Sequence, residues 1–224
     1  MEGLSVTGLP VVTPDEAIRL QRGLAVRVID RDEPAGEVRL VAGIDVAAGR
    51  TGENGRAAVV VLRYPGLETV ETAVFVGPLV MPYVPGLLSF RELPLILPAL
   101  ERLTTRPNLL LVDGQGVAHP RRLGIAAHLG LITGLPAIGC AKSRLCGTAG
   151  EPGPERGSAA DLIDRGEIIG RVVRTRFGCR PVYVSVGHRV SLETAVDWVL
   201  KLGQGFRLPE PVRLAHLAAG SGQS

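Results

Sequence analysis

Three carboxylates, Asp45, Glu92 and Asp113, could gather around one cation. Asp45 lies inside the apolar run Val41-Ala42-Gly43-Ile44-Asp45-Val46, where aspartate is a poor strand former and an unpaired buried charge is costly. Asp113 ends the run Leu109-Leu110-Leu111-Val112, at the carboxyl edge of an expected buried strand, where open α/β sheets place their ligands. Glu92 sits at the junction between a proline-rich loop and an expected helix. Gathered together, the three give an all-oxygen site that suits magnesium or manganese better than zinc. A cation held there would stabilise charge on a scissile phosphate and lower the pKa of an attacking water, which is metal-assisted phosphodiester hydrolysis. Two of the acids also have an ordinary reading. Asp113-Gly114 is a common turn pair, and Ser89-Phe90-Arg91-Glu92 has the spacing of a helix capping box. No local motif joins them, so only the fold can.

Other residues suit the same chemistry. His119, on the turn after Asp113, could act as a general base or contact a phosphate, or simply bond within its turn. Lys142 ends an apolar strand and could hold a phosphate oxygen as a compact point charge, or be a solvated strand end. Pro82-Tyr83-Val84-Pro85-Gly86 fixes an aromatic ring in a loop stiffened by proline on either side. Such a ring can wedge into a gap left by an extruded base, although most loop aromatics only cover the core. His128 lies within an expected helix and reads as structural.

The elements that must position these residues follow from periodicity and turn residues. Thr13-Pro14-Asp15-Glu16 opens a helix whose apolar residues run to Val28. Residues 39–46, 57–64 and 69–76 are rich in valine and separated by turn residues, as in an antiparallel meander. A helix over 89–103 is weakened by Pro94 and Pro98. A central strand over 109–112, a helix over 122–133 stopped by Gly134, and a strand over 136–141 come next. Residues 147–157 form a glycine and proline loop. Strands over 162–173 and 182–186, a helix over 191–202 capped by Ser191, and a last helix over 212–219 complete the chain. A meander followed by alternating strands and helices predicts an α/β fold, a mixed sheet with helices on both faces.

With 224 residues, 46% hydrophobic and 21% charged, the chain is globular and long enough to bury a sizeable core. The uncharged stretches 72–90 and 123–141 are interrupted by proline and glycine, so neither reads as a membrane span. Met1-Glu2-Gly3 lacks a basic region, so no secretory signal is expected and a cytoplasmic location is. The three cysteines have no paired zinc-site spacing and read as core thiols. A net charge of +3 permits a polyanionic partner without pointing to one. Only Lys142 and Lys201 are lysine among 25 basic residues, which makes a lysine at a strand end conspicuous.

The segments Val41-Ala42-Gly43-Ile44-Asp45, Pro82-Tyr83-Val84-Pro85-Gly86-Leu87-Leu88-Ser89-Phe90-Arg91-Glu92, Val112-Asp113-Gly114 through His119-Pro120-Arg121-Arg122, and Gly139-Cys140-Ala141-Lys142 together resemble endonuclease V. The resemblance runs from the first helix to Arg207-Leu208-Pro209-Glu210-Pro211, nearly the whole chain. It implies a ribonuclease-H-like fold, one catalytic domain over residues 1–224, and a monomer in the cytoplasm that touches no membrane. It also implies a magnesium-dependent DNA repair endonuclease, with manganese as a substitute, that recognises deaminated adenine (hypoxanthine) in damaged DNA. Such an enzyme hydrolyses the second phosphodiester bond 3′ to the lesion and leaves 3′-OH and 5′-phosphate ends. By position, Asp45 and Asp113 would hold the magnesium, with Glu92 as a third acid. Tyr83 would be the wedge, and His119 and Lys142 would serve the phosphate or water. Gly86, Leu88, Gly114, Gly116 and Ile125 would line the base pocket, where bare glycines let backbone groups approach the base. His216 matches a histidine near the metal in some members and an aspartate in others. Gln115 departs from the histidine many members carry, which puts base or strand preference in question. Three alternatives stay open: an endonuclease for inosine-containing RNA, a non-catalytic nucleic-acid-binding module, and a metal-dependent phosphohydrolase for small molecules.

Overall fold

The wholly apolar run Leu109–Val112 forms β4, and it is buried on both faces, as its composition demands. Around it the computed structural model, which describes residues 12–33, 36–49 and 52–221, builds one eight-stranded sheet in the order β3-β2-β1-β4-β5-β8-β7-β6. The N-terminal stretch read as lacking a secretory signal lies outside the described residues. Helix α1 (Pro14–Ala25) opens with Thr13 and Glu16 closing a capping box and Pro14 at its first position. The meander follows as β1 (Leu40–Ala48), β2 (Asn54–Arg63) and β3 (Glu68–Pro78), antiparallel throughout.

Helix α2 (Leu88–Glu101) carries Pro94 and Pro98 in its interior. Each proline removes a backbone donor, but Leu93, Leu95, Ile96, Leu97 and Ala99 are buried against the sheet, and that packing overrides the local cost. After β4 come α3 (Ile125–Thr133), ended by Gly134 at φ 68°, and β5 (Ala137–Ala141). Helix α3 starts at Ile125 and not at 122, because Arg122 adopts φ 56°, outside helical space. The single strand expected over 162–173 is instead a hairpin, β6 (Ala159–Asp164) and β7 (Glu167–Val173). Its turn residues Arg165 and Gly166 have φ 56° and 81°, the paired positive values of a tight hairpin turn. Arginine is a weak turn signal, which is why the run looked continuous. Strand β8 (Val182–His188), α4 (Leu192–Lys201) with Ser191 as N-cap, and α5 (Glu210–Gly220) finish the fold.

Helices cover both faces, as expected. On one side α2 and α3 pack on Ala42, Ile44, Val59, Leu110 and Val112. On the other, Val41, Leu109, Leu111, Ile138 and Val184 meet α4 and the start of α5. The cysteines are free, but only Cys140 is buried; Cys146 and Cys179 are half-buried. Among the described residues, no helix is long and apolar enough to cross a membrane.

Candidate active site

Three neighbouring parallel strands deliver the chemistry to one edge of the sheet. β1 pairs β4 in parallel with Ile44 opposite Val112, and β4 pairs β5 in parallel with Val112 opposite Gly139. The residues that follow in register are Asp45 and Asp113, the latter tied by its N–H to the Ile44 carbonyl at 2.9 Å. Lys142 leaves the end of β5 on the same edge, and its Nζ contacts Asp113 Oδ2 directly.

A fourth side chain arrives from α5. Gly43 has no Cβ, and one placed there would lie 1.9 Å from the Pro211 carbonyl oxygen; only glycine lets α5 approach β1 so closely. That approach brings His216 Nδ1 to 2.7 Å from Asp45 Oδ2 and 3.2 Å from Lys142 Nζ. Ligand atoms of Asp45, Asp113 and His216 all lie within 4.8 Å of one another. One ring nitrogen faces an ammonium and a carboxylate, and in a single protonation state it can satisfy only one of them. A divalent cation among the three side chains would take the ring nitrogen's lone pair and the charge of both carboxylates, so the donor set fits a metal. It is two carboxylates with an imidazole and not the all-oxygen set expected.

Glu92, from α2, lies outside that tight group but feels it. Burial, then the charges of Asp45 and Asp113, push its carboxyl up to about 8. Burial and Asp45 likewise raise Asp113, against the opposing pull of Lys142. Raised carboxyls at Glu92 and Asp113 are what a cation would relieve. The capping-box reading of Ser89 and Glu92 fails: the N-cap is Leu87, without a side-chain bond, and buried Ser89 sits against His128 Nδ1 at 3.2 Å.

His119 is placed differently from the general base envisaged. Its Nδ1 accepts from the Arg121 N–H at 3.1 Å, so Nε2 carries the proton and faces the Gly86 carbonyl at 2.9 Å. Burial holds the imidazole at about 4, so it is neutral at pH 7. Two further donors reach the same carbonyl, Gln21 Nε2 at 2.9 Å and Arg121 Nη2 at 2.7 Å, and Gln21 Oε1 accepts from Arg121 Nε at 2.5 Å. Gly86 itself has φ 81°. The loop that carries Tyr83 is therefore latched at its far end while Tyr83 stays 67% exposed. Gln21 is buried at 1% exposure, and sequence reasoning missed both it and Arg121, since a glutamine on an amphipathic helix carries no signal of a partner so distant in the chain.

Between this latch and the acids lies a cavity of about 360 Å³. Gly86, Leu88, Gly114 and Ile125, four of the residues expected around a base, line it together with Tyr83, Asp113, His119 and Lys142. Gly116 does not; its bare Cα faces β8, where a Cβ would lie 1.9 Å from the Val186 carbonyl oxygen. Gln115 also lines the cavity. Its Nε2 donates to the Ser143 carbonyl at 2.8 Å, which leaves Oε1 buried and without a partner among the described residues.

Comparison with known proteins identifies the family. The family model described as Endonuclease V matches residues 22–217. Endonuclease V of Dehalococcoides mccartyi is 53% identical over 208 residues, 93% of each chain. The crystal structure of Endonuclease V from Streptomyces avermitilis superposes with a TM-score of 0.89 at 45% identity, covering 96% of this chain and 94% of that one. Ciona intestinalis Endonuclease V, solved in complex with a 24mer DNA containing an inosine followed by a ribo-adenosine, gives a TM-score of 0.80 at 28% identity, covering 92% and 96%. A matching family model over most of the chain, relatives about half identical over nearly its whole length and a shared mixed sheet agree, and the chain belongs to the Endonuclease V family.

Proposed function

We propose that this nuclease is a magnesium-dependent DNA repair endonuclease that recognises hypoxanthine and hydrolyses the second phosphodiester bond 3′ to it, leaving 3′-OH and 5′-phosphate. The observation that carries the reading is the convergence of Asp45, Asp113 and His216 within 4.8 Å at the sheet edge, beside a cavity capped by an exposed tyrosine. Asp45, Asp113 and His216 would hold the cation, with Glu92 close behind; manganese would substitute. When bound, the cation supplies charge stabilisation at the phosphate and an acidified water. Lys142, released from Asp113, would turn its ammonium to a phosphate oxygen. Tyr83 would fill the space left by the extruded base, and the backbone around Gly86, Gly114 and Leu88 would meet that base. His119 acts on this loop and not on the water, because both its ring nitrogens are engaged.

Gln115 supports the choice of base. Deamination turns the acceptor at adenine N1 into an N–H donor, and an amide oxygen without a partner beside the pocket suits that donor. We place the activity in one domain, working as a cytoplasmic monomer. A second reading, cleavage of inosine-containing RNA, draws on the ribo-adenosine next to the inosine in the Ciona intestinalis complex. Asp113→Ala tests the core of the proposal: cleavage of an inosine-containing strand is abolished while binding, by gel shift, persists. Retained cleavage would remove Asp113 from the site.

A further inference from the structure

Beside Lys142 two loops are tied into one surface. Arg174, buried at 8% exposure, donates to the carbonyls of Gly153 at 3.0 Å, Pro152 at 2.8 Å and Cys179, and pairs with Glu151 at 2.7 Å. It thereby braces the loop Arg174-Thr175-Arg176-Phe177-Gly178-Cys179-Arg180 from within. Thr175 Oγ1 donates to the Arg207 carbonyl at 2.6 Å, and Arg176 Nη1 reaches the Gly205 carbonyl at 3.5 Å. Arg207 returns the tie, with Nε on the Arg180 carbonyl at 3.0 Å and Nη2 on the Lys142 carbonyl at 2.5 Å. So much bracing displays two aromatic rings to solvent: Phe177 is 65% exposed and Phe206 48%. Arg213 stacks on Phe206 with its Cζ 4.4 Å from the ring centroid and is neutralised by Glu210. Arg176, Arg180 and Arg207 have no acidic partner among the described residues.

Exposed phenylalanines cost solvation, and arginines left unpaired around them would suit a polyanion with flat apolar faces. Single-stranded nucleic acid has both, and proteins hold it by stacking bases on aromatic rings along a basic track. We propose that Phe177 and Phe206, with Arg176 and Arg180, form a stacking surface that holds unpaired nucleotides of the substrate strand as it leaves Lys142. This rests on the reading of the site as one for nucleic acid. A duplex would keep its bases from both rings, so the surface favours frayed or single-stranded substrate.

The test uses unmodified, fluorescently labelled oligo-dT of increasing length, with binding read by anisotropy in chelator. The wild type should bind longer strands more tightly. Phe177→Ala should lose about tenfold in affinity for the longest strand, and Phe177→Trp should restore it. Arg180→Ala should flatten the salt dependence by about 0.7 in log–log slope, whereas Phe177→Ala leaves that slope alone. Both residues are on the surface, so thermal midpoints should be unaltered and serve as the folding control. If Phe177→Ala binds like the wild type, or the tryptophan variant stays as weak as the alanine one, the surface is overturned. Because the probe has no inosine, the outcome is separable from the endonuclease reading: length-dependent binding through Phe177 with no cleavage of inosine strands would keep the surface and reject the endonuclease.

Discussion

At Glu92 three acids converge, and the cost of their repulsion should be visible in stability. The folded-state carboxyl stands at about 8 against an ordinary 4.5, so the folded protein holds a proton that the unfolded chain releases. A raised folded pKa contributes stability below 4.5 and loses it as pH climbs toward 8. In chelator, Glu92→Gln should therefore gain stability over the wild type as pH rises, with the largest gain above pH 8 and none below pH 4.5. Urea midpoints at acidic and alkaline pH measure this, and parallel pH profiles for the two proteins would refute it. Added magnesium should erase the gain, since the cation replaces the proton. Tyr83 behaves oppositely: exposed and outside the core, it should tolerate alanine within about 0.5 kcal/mol. Yet Tyr83→Ala should slow cleavage of an inosine duplex about tenfold or more and spare a single strand, where nothing needs unstacking. Equal rates on both substrates would make the ring a mere cover. Asp45, Lys142 and Tyr83 stood out in the sequence because each breaks a local expectation, whereas Asp113 and Glu92 each had an ordinary local reading. Gln21, Arg121 and the engaged state of His119 were not, since their meaning lies in one carbonyl that they share across long chain separations.

Element geometry decides whether these residues meet at all. The parallel register of β1, β4 and β5 sets Asp45, Asp113 and Lys142 on one edge, and the close approach at Gly43 sets the helix that bears His216. Gly43→Ala should drive α5 off the sheet at a cost of about 1–3 kcal/mol. Cleavage should fall with it, because His216 moves with its helix. A variant with wild-type stability and activity would show that α5 can shift without harm. At the other end of the site, Gln21→Ala removes two buried donor contacts, to the carbonyls of Gly86 and Leu123, and should cost about 1–3 kcal/mol. The strand alternation and helices were readable from periodicity and caps, Thr13 and Ser191 above all. Two features were not. The β6–β7 hairpin turns on an arginine at positive φ, and α2 persists through two prolines because its apolar face is buried; tertiary packing outweighed the local signal in α2, and an unusual turn residue hid the hairpin.

Across the whole molecule, the acids give up stability so that a cation can restore it. Magnesium at about a hundredfold excess over its dissociation constant should add about 2.7 kcal/mol, which for a chain of this size is a rise of about 5–10 °C in thermal midpoint. Asp45→Asn should lose most of that rise, and an equal rise in both proteins would place the cation elsewhere. The most direct measurement is cleavage of end-labelled DNA and RNA strands, each with one inosine, beside unmodified controls, with magnesium and with chelator. The account predicts a magnesium-dependent nick at the second phosphodiester bond 3′ to inosine, with controls intact and the better-cut strand settling DNA against RNA. Cleavage that persists in chelator, or that ignores the inosine, would contradict it.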